Sequence, residues 1–542
     1  MPQYLVRLAQ IHESFRKAEL HALANLAGVE LEIVKYDDDS PYCIVNLPSD
    51  AAAKAVTSRA ILIQGIYELW GQGSTYASLH ESVKQTPEKW PFYEHSTFSF
   101  RVERYRGVQA PAERTREIVE SFKFLGFKGK VQIKNPEASF RVFEEYMLDA
   151  KEPHYLYLGR WIADSGRDAK NLYDLKKRHY ISTTSMDAEL ALLTANIAQA
   201  AQGKMFYDPF MGTGGFPIAC AHYGAVVTGS DIDGRSIRGL GGSARRGQTG
   251  KKNVQMNFDQ YGTASHYLGG FVSDLTNTPL RLPPSSTSDG EARHAPYLDG
   301  IVCDPPYGIR EGLKVLGSRE TLLDHERQSH ADQYTAEGYI PPKRPYSFTA
   351  LLDDILCFAA CTLVPNGRLS MWMPTANDED VELIIPQHAC LQLESVCVQA
   401  FNKWSRRLLT YRRRLASEQV LPEALTDLKN KKKEYEKGTR ASDLNDFRRR
   451  YFQGFKEDGE GPVKRGREFE DMKKEFIRMK VEAGVRKEEA KAEAELLAVT
   501  QMSAREKAER AKKAVEEAAR REEDEGAKAD QLNEQFKTDA RT

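Results

Sequence analysis

Asp304-Pro305-Pro306-Tyr307 ends the apolar run Ile301-Val302-Cys303 and brings a carboxylate, a stiffened backbone and an aromatic face to one point. Two successive prolines fix φ and remove two N–H donors, so the backbone there offers carbonyl oxygens. The Asp304 carboxylate and the Pro305 carbonyl can then accept both hydrogens of a planar NH2 group, while Tyr307 stacks on the ring that carries it. Such a grip draws the amine lone pair out of conjugation and towards an electrophile. The carboxylate can also take the proton that the amine sheds. A proline-rich turn with an incidental tyrosine is the plain alternative.

Further acids stand in comparable positions upstream. MFYDPFMGTGGF carries Asp208 at a strand end, Phe210 in the following turn, and Gly212 and Gly214 where a helix opens. Glycines let a backbone approach a ligand closely, and a helix N-terminus favours polar or anionic groups. The segment is neither a P-loop nor the G-x-G-x-x-G dinucleotide turn. VVTGSDID brings Asp231, with Asp233 as the near alternative, to the end of the next strand, where a carboxylate can hold both ribose hydroxyls. FVSDL brings Asp274 to a third strand end, placed to accept from an adenine amino group. Each acid alone could cap a helix. At successive strand ends and in this order, they predict an adenosyl-type ligand along the carboxyl edge of a sheet, with Asp304 at the fourth strand end.

The elements that must position these residues alternate strand, glycine-rich turn and helix over residues 176–415, which predicts an open, doubly wound parallel sheet. Ahead of it lie two shorter α/β stretches. YLVRLA and CIVNLP read as strands around the helical FRKAELHALANLAGV. TFSFRVERYRG, the helical EIVESFKFLGF and KVQIKNPEASFRVFEEY follow, the last divided into two strands by Pro136. From 416 to 542 the chain is rich in Lys, Arg, Glu and Ala without a sustained heptad, and reads as a charged, partly helical or disordered extension.

Bulk properties bound the rest. The 542 residues carry a net charge of −1 and a mean hydropathy of −0.57, so any nucleic-acid contact must come from local patches. Seven cysteines form no CxxC pair and no His/Cys cluster with zinc spacing, which points to a reducing compartment and predicts no metal site. Cys357 and Cys361, one turn apart in an apolar stretch, read as buried thiols. No apolar run is long enough to span a membrane. An intracellular, soluble, cytoplasmic protein is the expectation.

GTGG, SDID and DPPYG in one sheet resemble the S-adenosylmethionine-dependent amino-methyltransferases. From Met1 to about Arg414 the chain is more closely similar to the catalytic subunits of eukaryotic tRNA (guanine-10-N2)-methyltransferases. The matching stretches are KNPEASFRVFEEY, RHYISTTSMDAELALLTANIA, DPFMGTGGF, GSDIDGR, DPPYGIREG, LVPNGRLSMWMP and FNKWSRRLLTYRRR.

The resemblance implies a Rossmann-like methyltransferase sheet at 176–415 behind a ferredoxin-like domain at 1–63, an RNA-binding THUMP domain at 64–150 and a linker at 151–175. It implies S-adenosylmethionine as cofactor, held by Asp208, Phe210, Gly212, Gly214, Asp231, Asp233 and Asp274, with a tRNA guanine held by Asp304 to Tyr307. The loop from Thr183 to Met186 would close over the cofactor. Arg406 and Arg407 would lie near the substrate face, although a solvated strand end fits them as well. Arg101, Arg104 and Arg106, with Lys130 and Lys134 and the neighbouring Lys123 and Lys128, form the basic stretch available to RNA. The family works with a small zinc-binding activator protein. A DNA adenine-N6 methyltransferase and a non-catalytic RNA-binding scaffold are the competing expectations.

Overall fold

The computed structural model describes residues 1–108, 111–239, 243–244, 253–280, 296–308, 313–316, 343–376, 385–401 and 404–418. The extension expected beyond 416 lies almost wholly outside them.

The N-terminal sheet contains β1 (Gln3–Leu8), β2 (Glu32–Lys35), β3 (Tyr42–Asn46), β4 (Ile63–Gly73), β5 (Phe98–Tyr105), β6 (Ala138–Glu145) and β7 (Tyr155–Asp164). Their order is β2-β3-β1-β4-β7-β6-β5. β4 pairs antiparallel with β1 on one side and with β7 on the other, so the sheet runs unbroken through the boundary expected at 63–64. β7 falls in the segment expected to be a linker, and it is a central strand. Its alternation explains why: Leu156 and Leu158 pack with Trp70 and Phe140 on one face, while Tyr157 packs with Tyr42 and Phe143 on the other. The KVQI stretch expected as a strand makes a single bridge, from Val131 to Phe98.

Helices Arg16–Ala27 and Asp50–Thr57 bury Leu20, Leu23 and Val56 against Val6 and Val45. The second of them starts at Ser49, whose side chain accepts from the Ala52 N–H at 3.2 Å. Helices Tyr76–Lys84 and Ala112–Glu120 cover the other half with Leu79, Val83 and Ile118.

After the short β8 (Tyr180–Ile181) comes the second sheet: β9 (Met205–Asp208), β10 (Val226–Asp231), then beyond the short β11 (Ser243–Ala244), β12 (Tyr267–Val272) and β13 (Leu298–Cys303). The hairpin partners β14 (Lys314–Leu316) and β15 (Lys343–Pro345) precede β16 (Leu363–Ala376), β17 (Leu391–Ala400) and β18 (Trp404–Arg413). The sheet order is β12-β10-β9-β13-β16-β18-β17. β12, β10, β9, β13 and β16 are mutually parallel neighbours. Successive residues of β13 enter opposite cores, Val302 with Phe206 and Trp372, Ile301 and Cys303 with Tyr207 and Leu369, so the sheet is covered on both faces. β9 and β13 are adjacent in space with β10 and β12 intervening in sequence. This is the topological switch point, where the ends of neighbouring strands open a crevice.

The two sheets are joined through buried contacts. Phe15 lies against Trp372 with ring centroids 5.9 Å apart, and Arg59 donates from Nε to Asn196 Oδ1 at 2.8 Å while its guanidinium covers Tyr223. Among the described residues no helix is long and apolar enough to cross a membrane.

Candidate active site

Asp208 closes β9 and is 1% exposed, with Oδ1 accepting from the Phe210 N–H at 2.9 Å. Burial pushes its carboxyl well above the usual range, and the nearby Asp231 and Asp304 carboxylates push it further. The following turn passes over β10: the Met211 N–H donates to the Ser230 carbonyl at 2.8 Å and the Gly212 N–H to Asp231 Oδ2 at 2.9 Å. Gly212 and Gly214 have φ of 52° and 86°, which glycine adopts without the strain of a side chain. A Cβ on Gly214 would stand 2.9 Å from Val254 Cγ1, whereas one on Gly212 would meet no atom within 4 Å. The Gly212 backbone therefore faces open space beside the acids.

Asn257 fixes this turn from below. It is fully buried, accepts from the Tyr180 N–H at 2.9 Å, and donates to the Tyr180 carbonyl at 2.8 Å and the Thr213 carbonyl at 3.1 Å. Ser185 Oγ lies 3.0 Å from Thr213 Oγ1, so the loop containing Thr183 to Met186 rests on the glycine turn. Nothing in the local pattern of KKNVQMNF marks Asn257, because its partners are 44 and 77 residues away.

Asp231 ends β10 and also accepts from the Asp233 N–H at 2.8 Å; burial raises its carboxyl. Asp233 instead caps the short helix Gly234–Arg238 and pairs with Arg235 at 2.8 Å, which lowers its carboxyl. Of the two alternatives, Asp231 is the one bonded to the glycine turn. Asp274 follows β12 and does cap a turn, accepting from the Thr276 N–H at 3.0 Å, while its Oδ2 accepts from the Leu316 N–H at 2.8 Å and so anchors β14.

Asp304 follows β13. Pro305 is buried and Pro306 exposed. The Tyr307 hydroxyl donates to Asp304 Oδ1, so the ring expected to stack on a base here covers its own motif's carboxylate. Burial raises the Asp304 carboxyl, opposed by the Tyr307 hydrogen bond and by the Arg406 guanidinium. Arg406 comes from β18, with Nε donating to Gln399 Oε1 at 2.5 Å and Cζ 4.8 Å from the Trp372 ring centre. The structure thus brings Asp231 and Asp304 within electrostatic reach of Asp208 and holds Asp274 one strand further along.

The basic stretch divides differently. Arg101, Arg106, Lys130 and Lys134 are exposed. Arg104 is not available to a phosphate: it forms an ion pair with Glu144, its register partner on β6, with side chains only 9% and 2% exposed. Lys128 pairs with Glu94 at 2.5 Å and Lys123 with Glu120 at 3.5 Å. Cys357 and Cys361 are partly buried thiols outside any disulfide, and among the described residues no His/Cys/Asp/Glu group could hold a metal.

Residues 2–167 match the family model described as the Tmrp11 THUMP N-terminal domain, and residues 176–265 match the RMKL-like methyltransferase domain. The chain is 44% identical over 424 residues to the tRNA (guanine(10)-N(2))-methyltransferase of Saccharomyces cerevisiae, covering 76% of this chain and 93% of that one. It is 36% identical over 420 residues to the tRNA (guanine(10)-N(2))-methyltransferase TRMT11 of Homo sapiens, covering 75% and 87%. Among solved structures, TrmN from Thermus thermophilus aligns with 76% of this chain and 99% of its own at 16% identity and a TM-score of 0.35, a superposition too loose to carry an argument.

Proposed function

The chain belongs to the tRNA (guanine(10)-N(2))-methyltransferase family, and from that premise we propose that it methylates N2 of guanine 10 in tRNA with S-adenosylmethionine, as the catalytic subunit of a complex with a small activator protein. The observation that carries the reading is the convergence of Asp208, Asp231 and Asp304 at the switch point under the glycine turn. A buried carboxyl raised by two neighbouring carboxylates suits a cationic ligand rich in N–H and O–H donors, and the bare Gly212 backbone leaves room for one. S-adenosylmethionine, when bound, supplies a methyl carbon made electrophilic by its sulfonium.

The residues then divide the work. Asp231 accepts from ribose hydroxyls, and Asp208, Phe210, Gly212 and Gly214 shape the floor beneath them. Tyr307 gives up its bond to Asp304 and stacks on the guanine. Asp304 and the Pro305 carbonyl would accept the two N2 hydrogens and aim the lone pair, and Asp304 would take the proton released as the methyl carbon exchanges its bond to sulfur for one to N2. Bringing a guanine out of its stack costs roughly a few kcal/mol. Exposed Arg101, Arg106, Lys130 and Lys134 offset that cost through contacts remote from the chemistry.

An edge strand supports the partner. β12 ends the sheet order among the described residues, and its Leu268 and Val272 are 62% and 49% exposed. An added strand would satisfy the free edge and cover both side chains. Replacing both by Glu should abolish co-purification with the activator.

The reading is tested by Asp304→Ala in the full chain. Nucleoside mass spectrometry of treated tRNA should find no N2-methylguanosine, with tRNA affinity within a few-fold of the parent. Normal methylation by that variant would sink the assignment.

A further inference from the structure

Every other acid of the site is held by backbone N–H groups. Asp208 accepts from Phe210, Asp231 from Gly212 and Asp233, and Asp274 from Thr276 and Leu316. Asp304 is followed by two prolines, which have no N–H to give, and its hydrogen-bond donor among the described residues is the Tyr307 hydroxyl. A half-buried carboxylate that leans on a single phenol is poorly compensated for its charge. Tyr307 must moreover leave that bond if it is to stack on a base.

Among the described residues, the positive group facing the turn is Arg406. It is aimed there from β18 by two contacts that do not involve the turn, the 2.5 Å bond to Gln399 and the packing of its guanidinium on Trp372. The sheet sets it beside the turn: Cys303, the residue before Asp304, is in register with Met371 on β16, and Trp372, on which Arg406 packs, is the next residue of that strand.

Building on the function proposed above, we propose that Arg406 is a positioning residue for methyl transfer: it stands in for the missing backbone donors and keeps Asp304 in its proton-accepting form once Tyr307 has turned to the base. Arg406 thereby holds the charge state of a group that it need not touch itself. Among the described residues, the charged and titratable groups facing Asp304 are Tyr307 on its own turn, Cys303 before it, Asp208 from β9 and Arg406 from β18. Of these described groups only the last is cationic, so its removal moves the acid's titration upward.

The test is the pH dependence of kcat/KM for Arg406→Gln and Arg406→Lys in the full chain with its activator. In R406Q the acid limb should move to higher pH by about one unit or more, so the loss is at least about tenfold larger at the acid end than at the alkaline end. R406K should restore most of the parent profile, and calorimetric affinity for S-adenosylmethionine should be unchanged in both. A uniform loss at every pH, an unshifted profile, or a loss of cofactor affinity would each overturn the proposal. Asp304→Asn separates the two readings. If it still methylates, the function assigned to the turn fails. If it is inactive while R406Q keeps the parent profile, only the role of Arg406 fails.

Discussion

The side-chain amide of Asn196 donates to Glu19 over 2.7 Å, joining a helix of the methyltransferase domain to one of the N-terminal module. The same carboxylate accepts from the N–H groups of Ile61 and Leu62, both at 2.8 Å. All its donors are N–H groups, so the site accepts a carboxylate and nothing that donates.

Glu19→Gln should therefore cost more than its shape suggests. Whichever way the amide is turned, its NH2 faces at least one of those N–H groups and leaves it unsatisfied. The loss should be about 1–3 kcal/mol of stability, read as a lower denaturant midpoint of the full chain. An unchanged midpoint would show that the joint does not depend on this carboxylate.

Asp208→Asn tests the crowding of acids at the switch point. Burial and the neighbouring Asp231 and Asp304 raise its carboxyl in the folded chain above the unfolded value of about 3.9. Its contribution to stability is then fully present below the unfolded value and is lost as pH rises through the folded one. The asparagine can still accept from Phe210, so the variant should melt higher than the parent at pH 8 and gain little at pH 5. Saturating S-adenosylmethionine should stabilise the parent more than the variant. Scanning calorimetry at the two pH values, with and without the cofactor, checks both.

Gly214→Ala forces a side chain into a φ of 86° and sets its Cβ 2.9 Å from Val254 Cγ1. The conformational cost alone is about 1–2 kcal/mol. Because the glycine turn carries the Gly212 N–H to Asp231, cofactor affinity by calorimetry should fall together with the melting temperature.

The basic stretch makes a contrasting pair of predictions. Removing Arg101, Lys130 and Lys134 together should leave stability unchanged and weaken tRNA binding. The slope of log affinity against log salt should become shallower by about one for each phosphate no longer neutralised. Arg104→Ala should instead destabilise the fold by about 3 kcal/mol, at the low end for a broken buried pair, since Tyr76 still donates to Glu144 at 2.7 Å. Equal effects of the two changes on tRNA binding at constant stability would refute the division.

Which parts of this were legible in the residues follows from how far each signal reaches along the chain. Asp208, Asp231, Asp274 and Asp304 stand out because a short apolar strand announces its own end, and the order of strand ends is the order of the chain. That Asp274 also bonds Leu316, 42 residues on, could not be seen locally. β7 alternates as a strand should, yet its partner on β4 lies about 90 residues away, so it resembled a connection between domains. Arg101 and Arg104 belong to one basic run. Register alone places Arg104 opposite Glu144, and register is a property of the sheet.

β4 runs from Ile63 to Gly73 as one strand, paired with β1 from Ile63 to Glu68 and with β7 from Gly65 to Gly73. A hinge between the half bearing Arg101 and Lys134 and the half secured through Glu19 would have to tear those ladders. The module consequently behaves as a gauge of fixed reach. On the function proposed above, a tRNA gripped at one end would offer the turn at Asp304 whichever nucleotide lies at that distance, and its guanine would be chosen by where it stands before any atom of the base is recognised.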